Sequence, residues 1–182
     1  ISGTTAADVV TVGAGTNQVS LGDGNDEIVI EGKSLVKDVL NGGEGNDTIF
    51  GLADDDTLLG GAGDDSLVAG TGEDVVDGGA DNDTINGGAG DDILAGGEGA
   101  DLIVANEGND TLLGNAGADT LSGSDTDDVI IAGFGKDTVE GGAGNDTIVV
   151  RSAAVNDVVS LGNGNDSVRF VGNFSTADTV NG

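Results

Sequence analysis

Residues 87–104 read GGAGDDILA followed by GGEGADLIV, two blocks of the form G-G-x-G-x-D-x-U-x in which U is a large aliphatic residue. Outward from this stretch, residues 42–149 divide without a gap into twelve such nine-residue blocks. Position six is Asp and position eight is aliphatic in all twelve, whereas Asp54, Asp81 and Thr126 replace the position-four glycine. A repeat of this kind predicts a solenoid, because one block cannot bury its apolar side chain alone.

The same register continues beyond the central run. Residues 3–29 form three regular blocks, with Asn17 at position six of the second. Residues 30–41 form a degenerate block after an insertion, and residues 150–181 are irregular. We therefore predict one solenoid over residues 1–182.

Composition narrows the class of protein. The chain has 36 Gly, no Pro, Cys or His, and a net charge of −29. Such a surface repels nucleic acid and anionic lipid, both of which need Lys and Arg to neutralise phosphate. No apolar run approaches the roughly 20 residues that span a bilayer, so direct membrane insertion is not expected. Self-repulsion of this size makes cations the expected partners.

The two halves of each block have different physics. The x-U-x triplet favours a short strand with one inward side chain. The G-G-x-G-x-D half favours a turn, where glycine lets successive carbonyl groups converge beside the Asp carboxylate. Such an all-oxygen cage suits Ca²⁺. Two strands and two turns make a coil of about 18 residues, which predicts an all-β, right-handed parallel β-roll with two parallel sheets.

Calcium is expected to decide whether the chain folds. One inward aliphatic residue per block makes a thin core for 182 residues, and ordering each residue costs roughly 1–2 kcal/mol of backbone entropy. The central blocks form two stacks with about ten gaps between turns, and the whole chain has room for about 10–13 ions. Ten Ca²⁺ ions would reduce the charge from −29 to −9.

Blocks such as GGEGNDTIF, GGAGDDSLV, GGAGDDILA and GGAGNDTIV resemble the RTX (repeats-in-toxin) nonapeptide of secreted bacterial proteins. The resemblance implies that one turn supplies the carbonyls of positions two and four with its Asp. The next stacked turn supplies the carbonyls of positions one and three with its own Asp. The carboxylate ligands would be Asp26, Asp47, Asp56, Asp65, Asp74, Asp83, Asp92, Asp101, Asp110, Asp119, Asp128, Asp137, Asp146, Asp157 and Asp166. The carbonyl ligands would include Gly43, Gly45, Gly60, Gly61, Ala62, Gly63, Gly78, Ala80, Gly88, Gly90, Gly97, Gly99, Ala105, Glu107, Gly114 and Ala116.

Two functions agree with this interpretation. The first is an extracellular structural or adhesive repeat region, such as part of a surface layer, filament or adhesin. The second is a calcium-triggered folding module of a type I-secreted enzyme or toxin. The resemblance implies a location outside the cell or on its surface in either case. A catalytic role is not expected, because His, Cys and Tyr are absent as acids, bases or nucleophiles.

A merely solvated acidic face is the simpler alternative, but it predicts Asp and Glu at drifting positions, whereas position six is never Glu. The rare cationic and aromatic residues lie mostly in or beside irregular blocks. We expect these residues to be solvated or to cap the roll, and a lateral contact surface is the alternative. The residues concerned are Lys33, Lys37, Arg151, Arg169, Phe170 and Phe174.

A longer period also exists. VSLGDGNDEIVIEG at residues 19–32 resembles VSLGNGNDSVRFVG at residues 159–172. The shared three-residue insertion favours a larger unit, so the chain is expected to be a fragment of a longer array. Other copies of the chain, or neighbouring repeats, are then expected partners.

Overall fold

The computed structural model describes residues 1–13, 15–30, 36–151, 156–172 and 178–182. These residues form nineteen strands and no helix. Lys33 and Phe174, singled out from the sequence, lie outside the described residues. The strands are β1 Val9–Val12, β2 Gln18–Asp23, β3 Glu27–Ile30, β4 Val39–Glu44, β5 Thr48–Ala53, β6 Thr57–Ala62, β7 Ser66–Thr71, β8 Val75–Ala80, β9 Thr84–Ala89, β10 Ile93–Glu98, β11 Leu102–Glu107, β12 Thr111–Ala116, β13 Thr120–Asp125, β14 Val129–Ile131, β15 Thr138–Ala143, β16 Thr147–Val150, β17 Val158–Asn163, β18 Ser167–Phe170 and β19 Thr179–Asn181.

The strands alternate between two parallel sheets. The odd-numbered strands form a ten-stranded sheet and the even-numbered strands a nine-stranded one, each in chain order. Within the central run every strand pairs with the strand 18 residues away, as when Leu94 lies beside Leu112. Blocks two apart therefore stack on each other, which confirms the predicted solenoid of two sheets with 18 residues per coil.

The insertions change the register without breaking either sheet. Val19 pairs with Leu40, an offset of 21 residues, and Ile148 pairs with Val168, an offset of 20. Pairing within both sheets resumes after each insertion, so the extra residues are absorbed between strands. The offsets of 21 and 20 exceed the 18-residue coil by three and two residues.

The core lies between the two sheets as a ladder of position-eight side chains. Those from Val19 to Val159 are buried, and Leu58, Leu94 and Leu112 have no measurable exposure. The prediction of a three-residue strand was wrong, because most strands are six residues long and extend through positions one to three of the next block. Position one therefore also faces inward: Ala69 and Ala105 are fully buried there.

The charge is concentrated in the turns. In β10, β12, β14 and β16, the outward side chains at positions seven and nine are uncharged. These residues are Ile93, Ala95, Thr111, Leu113, Val129, Ile131, Thr147 and Val149. We call them the aliphatic face. No helix among the described residues could cross a membrane.

Candidate metal centre

The position-six carboxylates form two buried rows, one along each edge of the roll. From Asp26 to Asp157, every Asp at this position is at most 3% exposed. Asp166 continues the row that contains Asp146 but is only partly buried. Each Asp immediately precedes a strand, so the 18-residue register stacks the carboxylates directly above one another. Their role as the carboxylate ligands of a metal stays a prediction.

One oxygen of each carboxylate ties neighbouring coils together. The backbone N–H of Asp74 donates to Oδ1 of Asp92 at 2.9 Å, and that of Asp92 donates to Oδ1 of Asp110 at 2.8 Å. The same bond recurs at every described gap, including the gaps that carry insertions. A charge-assisted bond of this kind orients the carboxylate.

The other oxygen has no hydrogen-bond partner. Oδ2 is buried and unpartnered in all the position-six residues from Asp26 to Asp157. In Asp65 it lies over the Cα of Gly60, where a Cβ would collide with it. An isolated buried carboxylate oxygen is costly. A repeating row of such oxygens is the pattern expected when cations are the missing partners.

Protonation behaviour supports the same conclusion. The pKa of Asp92 is raised to about 7, mainly by burial; the neighbouring carboxylates of Asp74 and Asp110 act in the same direction, against the hydrogen bond from the Asp74 N–H, which lowers it. Asp56, Asp83, Asp119 and Asp128 behave alike, each with a pKa of about 7. Burial is the largest cause in each of them, because removal from water penalises the charged form. A divalent cation would supply the missing charge.

Asn17 reveals where a cation would lie. It is the one position-six residue of the described chain that is not Asp. Its amide Nδ2 donates to the carbonyls of Gly13 at 2.9 Å and Gly15 at 2.5 Å, and to Oδ1 of Asp38 at 3.2 Å. Gly13 and Gly15 occupy positions two and four. Carbonyls of one turn and a carboxylate of the next therefore converge on one point, which the amide nitrogen occupies here.

The glycines of positions two and four permit this convergence. Gly43 and Gly45 have φ of +119° and +118°, and a Cβ on either would collide with the carbonyl of the preceding coil. The carbonyl at position three is already used once, since that of Ala62 accepts from the N–H of Gly45 at 2.6 Å. A carbonyl has two lone pairs, so a cation can still approach. The implied carbonyl ligand set stays a prediction.

The blocks that lack a position-four glycine keep the backbone of the turn. Asp54, Asp81 and Thr126 all have φ between +76° and +79°, the left-handed conformation that glycine adopts freely and other residues seldom do. In one of them the side chain also enters the turn, because the Thr126 hydroxyl donates to the Gly108 carbonyl at 2.5 Å. That carbonyl is an implied ligand, so this gap differs chemically from its neighbours.

The site is built mainly from backbone oxygens. Among the described residues, no three acidic, His or Cys side chains form a group suited to a metal. Each gap instead offers two stacked carboxylates and several carbonyls. An oxygen-only set of this size fits Ca²⁺, which accepts 6–8 oxygen ligands in flexible geometry.

Position five, treated as variable in the sequence, has a defined role that sequence reasoning missed. Oδ1 of Asn46 accepts from the N–H of Asp64 at 3.2 Å, and Oδ1 of Asp64 accepts from that of Asn82 at 2.9 Å. The backbone N–H and the side-chain amide of Asn82, which both donate to Oδ1 of Asp64, lower the pKa of Asp64, in contrast to the buried row beside it. The recurring Asn-Asp pair at positions five and six was the sequence signal that could have indicated this role.

The rare cations take different positions. Lys37 Nζ lies 3.0 Å from Asp55 Oδ2 in an exposed ion pair. The Arg151 guanidinium lies 5.8 Å from the centroid of the Phe134 ring. The side chains of Arg151 and Phe134, with Leu113 and Ile131, line a groove of about 380 Å³ at the edge of the aliphatic face.

Comparison with known proteins agrees with the site. The family model of the RTX calcium-binding nonapeptide repeat, in four copies, matches residues 1–28, 37–67, 59–94, 68–103, 86–121, 95–130 and 113–148. No curated protein matches the chain. The family match covers well over half of the chain, and the rows of buried, unpartnered carboxylates fit Ca²⁺ as its cofactor. The chain belongs to the family of RTX calcium-binding nonapeptide-repeat proteins.

Proposed function

We propose that this chain is a structural or adhesive repeat region that acts outside the cell and becomes ordered and stiff when calcium binds. The observation that carries the proposal is the row of buried Oδ2 atoms without partners. Without cations the roll encloses two columns of carboxylates, and with them each column becomes a chain of bridges between coils. Calcium concentration then sets the length of folded roll.

The extracellular location follows from the calcium requirement. Extracellular calcium modules work at roughly 0.1–1 mM calcium. A net charge of −29 also keeps the calcium-free chain expanded. We infer that the chain stays unfolded where calcium is scarce and folds where it is plentiful, in keeping with its family.

A lateral contact through the aliphatic face supports the structural role. Ile93 and Val129 are 47% and 39% exposed on this face, and no acidic side chain separates them. In a strongly acidic molecule, this is a surface along which two copies can approach without repulsion. Arg151, at its edge, is placed to meet an acidic turn of the other copy. The face spans only four strands, so a single contact would be weak, and neighbouring repeats would have to act together.

Calcium-driven compaction is the first test. Small-angle X-ray scattering should give a radius of gyration of about 45 Å in EDTA and about 16 Å in 5 mM calcium. Magnesium at the same concentration should leave the chain expanded, because it demands a strict octahedron. A radius that ignores calcium would contradict the proposal.

The lateral contact needs a separate test in calcium. Sedimentation velocity of the folded chain at increasing concentration should detect self-association, and Ile131→Asp should abolish it. Val104→Asp is the matched control, because Val104 has the same repeat position and the same partial burial on the other sheet. Equal effects of the two substitutions would contradict a contact through the aliphatic face.

A further inference from the structure

Adjacent turns are joined by a second set of side-chain bonds beside the position-six row. At position five, the side chain of one coil accepts from the backbone N–H of position five in the next coil. Asp91 Oδ1, for example, accepts from the N–H of Asn109 at 2.8 Å. The pairs, acceptor first, are Asn25–Asn46, Asn46–Asp64, Asp64–Asn82, Asn82–Ala100, Asp55–Glu73, Asp91–Asn109, Asp127–Asn145 and Asn145–Asn165.

The two sets of bonds run in opposite directions. At position five the earlier coil accepts and the later coil donates. At position six the later coil accepts, as when Asp65 Oδ1 takes the N–H of Asp47. Consecutive residues of the same turn are thus held from above and below. One bond alone would let the turn move along the axis of the roll or rotate about that bond, whereas the two bonds in opposite directions restrain both movements.

The position-five ladder has gaps that depend on residue type. It stops where Ala100 and Ala118 stand, since alanine offers no acceptor. It also stops at Glu73, which does not accept from the N–H of Asp91, and at Asn109, which does not accept from the N–H of Asp127; beside Asn109 the Thr126 hydroxyl donates to the Gly108 carbonyl instead. The position-six ladder continues through all of these gaps.

We propose that the Asn and Asp side chains at position five are positioning residues that hold each turn in its calcium-binding shape and couple neighbouring calcium sites. They contact no converging carbonyl and act through the backbone of the next coil. Fixing the turn before the ion arrives reduces the ordering cost of binding. Cooperativity should then be strongest in the stack where the ladder is continuous, from Asn25 through Asn46, Asp64 and Asn82 to Ala100, and weakest around Ala118. This inference rests on calcium-driven folding as proposed above.

The chain offers a matched pair for the test. Asn46 and Asn109 lie in the same local sequence, EGNDT, at residues 44–48 and 107–111. Asn46 accepts from the next coil and Asn109 does not. Asn46→Ala should raise the calcium midpoint for folding about threefold, the effect of one lost hydrogen bond, and lower the Hill coefficient. Asn46→Asp keeps the acceptor and should restore both. Asn109→Ala should change neither by more than about 1.5-fold.

The measurement is a calcium titration followed by circular dichroism, with hydrogen exchange of the Asp64 amide in saturating calcium as a second readout. That amide should exchange faster in Asn46→Ala even if the midpoint is masked by other sites. Equal behaviour of Asn46→Ala and Asn109→Ala in both readouts overturns this inference alone. A wild-type chain indifferent to calcium overturns the proposed function and this inference with it.

Discussion

The turn that holds Asn17 and the turn that holds Asp92 occupy equivalent places in the roll, yet they satisfy their oxygens differently. In the first, an amide nitrogen donates to two carbonyls and to the carboxylate of Asp38. In the second, the carboxylate of Asp92 has a buried Oδ2 without a partner. The first turn supplies its own donor, whereas the second leaves a buried carboxylate oxygen without one. The difference supports a cation as the missing partner of the second turn.

The largest effect on stability is expected when the carboxylate of the central turn, that of Asp92, is removed. Asp92→Ala removes the acceptor for the Asp74 N–H and a ligand of two stacked sites, and should cost about 2–3 kcal/mol of unfolding free energy in millimolar calcium. Asp92→Asn should cost less, because its amide can donate to local carbonyls as Asn17 does. Both should bind about two fewer calcium ions. Calcium-dependent denaturant unfolding and equilibrium dialysis give these values; unchanged stoichiometry in both variants would rule out position six as a ligand.

Protonation of the buried carboxylates at low pH should stabilise the folded roll in part, as calcium does. The folded-state pKa of Asp92 is raised to about 7 from 3.8, so protonation favours the folded roll. The resulting stabilisation is complete below about pH 4 and is lost as the pH rises through about 6–7. In EDTA, the chain should therefore show more β structure by circular dichroism at pH 4 than at pH 7.5. With calcium present, the folding midpoint should move to lower calcium at pH 5.5, because protonation of the folded carboxylates then supplies part of the stabilisation, while the calcium affinity of the folded roll should fall because protons and calcium compete. A calcium midpoint independent of pH would contradict this account.

The reverse change at the N-terminal turn should add a site. Asn17→Asp replaces the amide donor by a carboxylate beside the carbonyls of Gly13 and Gly15. It should bind about one more calcium ion than the wild type in equilibrium dialysis, because the donor that occupies the cation position is gone. In low calcium it should be slightly less stable than the wild type. A stoichiometry equal to that of the wild type would show that the amide does not mark a cation position.

The smallest effect concerns the gap in the position-five ladder. Ala100→Asn should give the N–H of Ala118 an acceptor and lower the calcium midpoint by about twofold. Ser122→Asn, at an outward position of the strand that follows the Ala118 turn and away from the aliphatic face, is the control and should have no effect. The two substitutions can be compared in one calcium titration, and equal midpoints would argue against the ladder.

Much of this structure could be predicted from the sequence because its period is strict. Twelve contiguous Asp and aliphatic positions predicted the coil length and both sheets. The six-residue strands were missed because position one, which also faces inward, is usually glycine and therefore shows no apolar side chain in the sequence. The amide of Asn17 was seen only as a departure from the pattern, since its partners lie in two different coils. Position five was missed because Asn, Asp, Ala, Glu and Lys all occur there, and only stacking shows which of them accept a bond.

The central claim is that calcium binds between stacked position-six carboxylates and that folding depends on it. Terbium luminescence with isothermal titration calorimetry of the wild type, Asp92→Ala and Asn17→Asp tests it most directly, with circular dichroism recorded on the same samples. The account predicts about 10–13 ions for the wild type, about two fewer for Asp92→Ala and about one more for Asn17→Asp, with β structure appearing as the ions bind. The same ion count in all three chains, or full β structure in EDTA at pH 7.5, would contradict it.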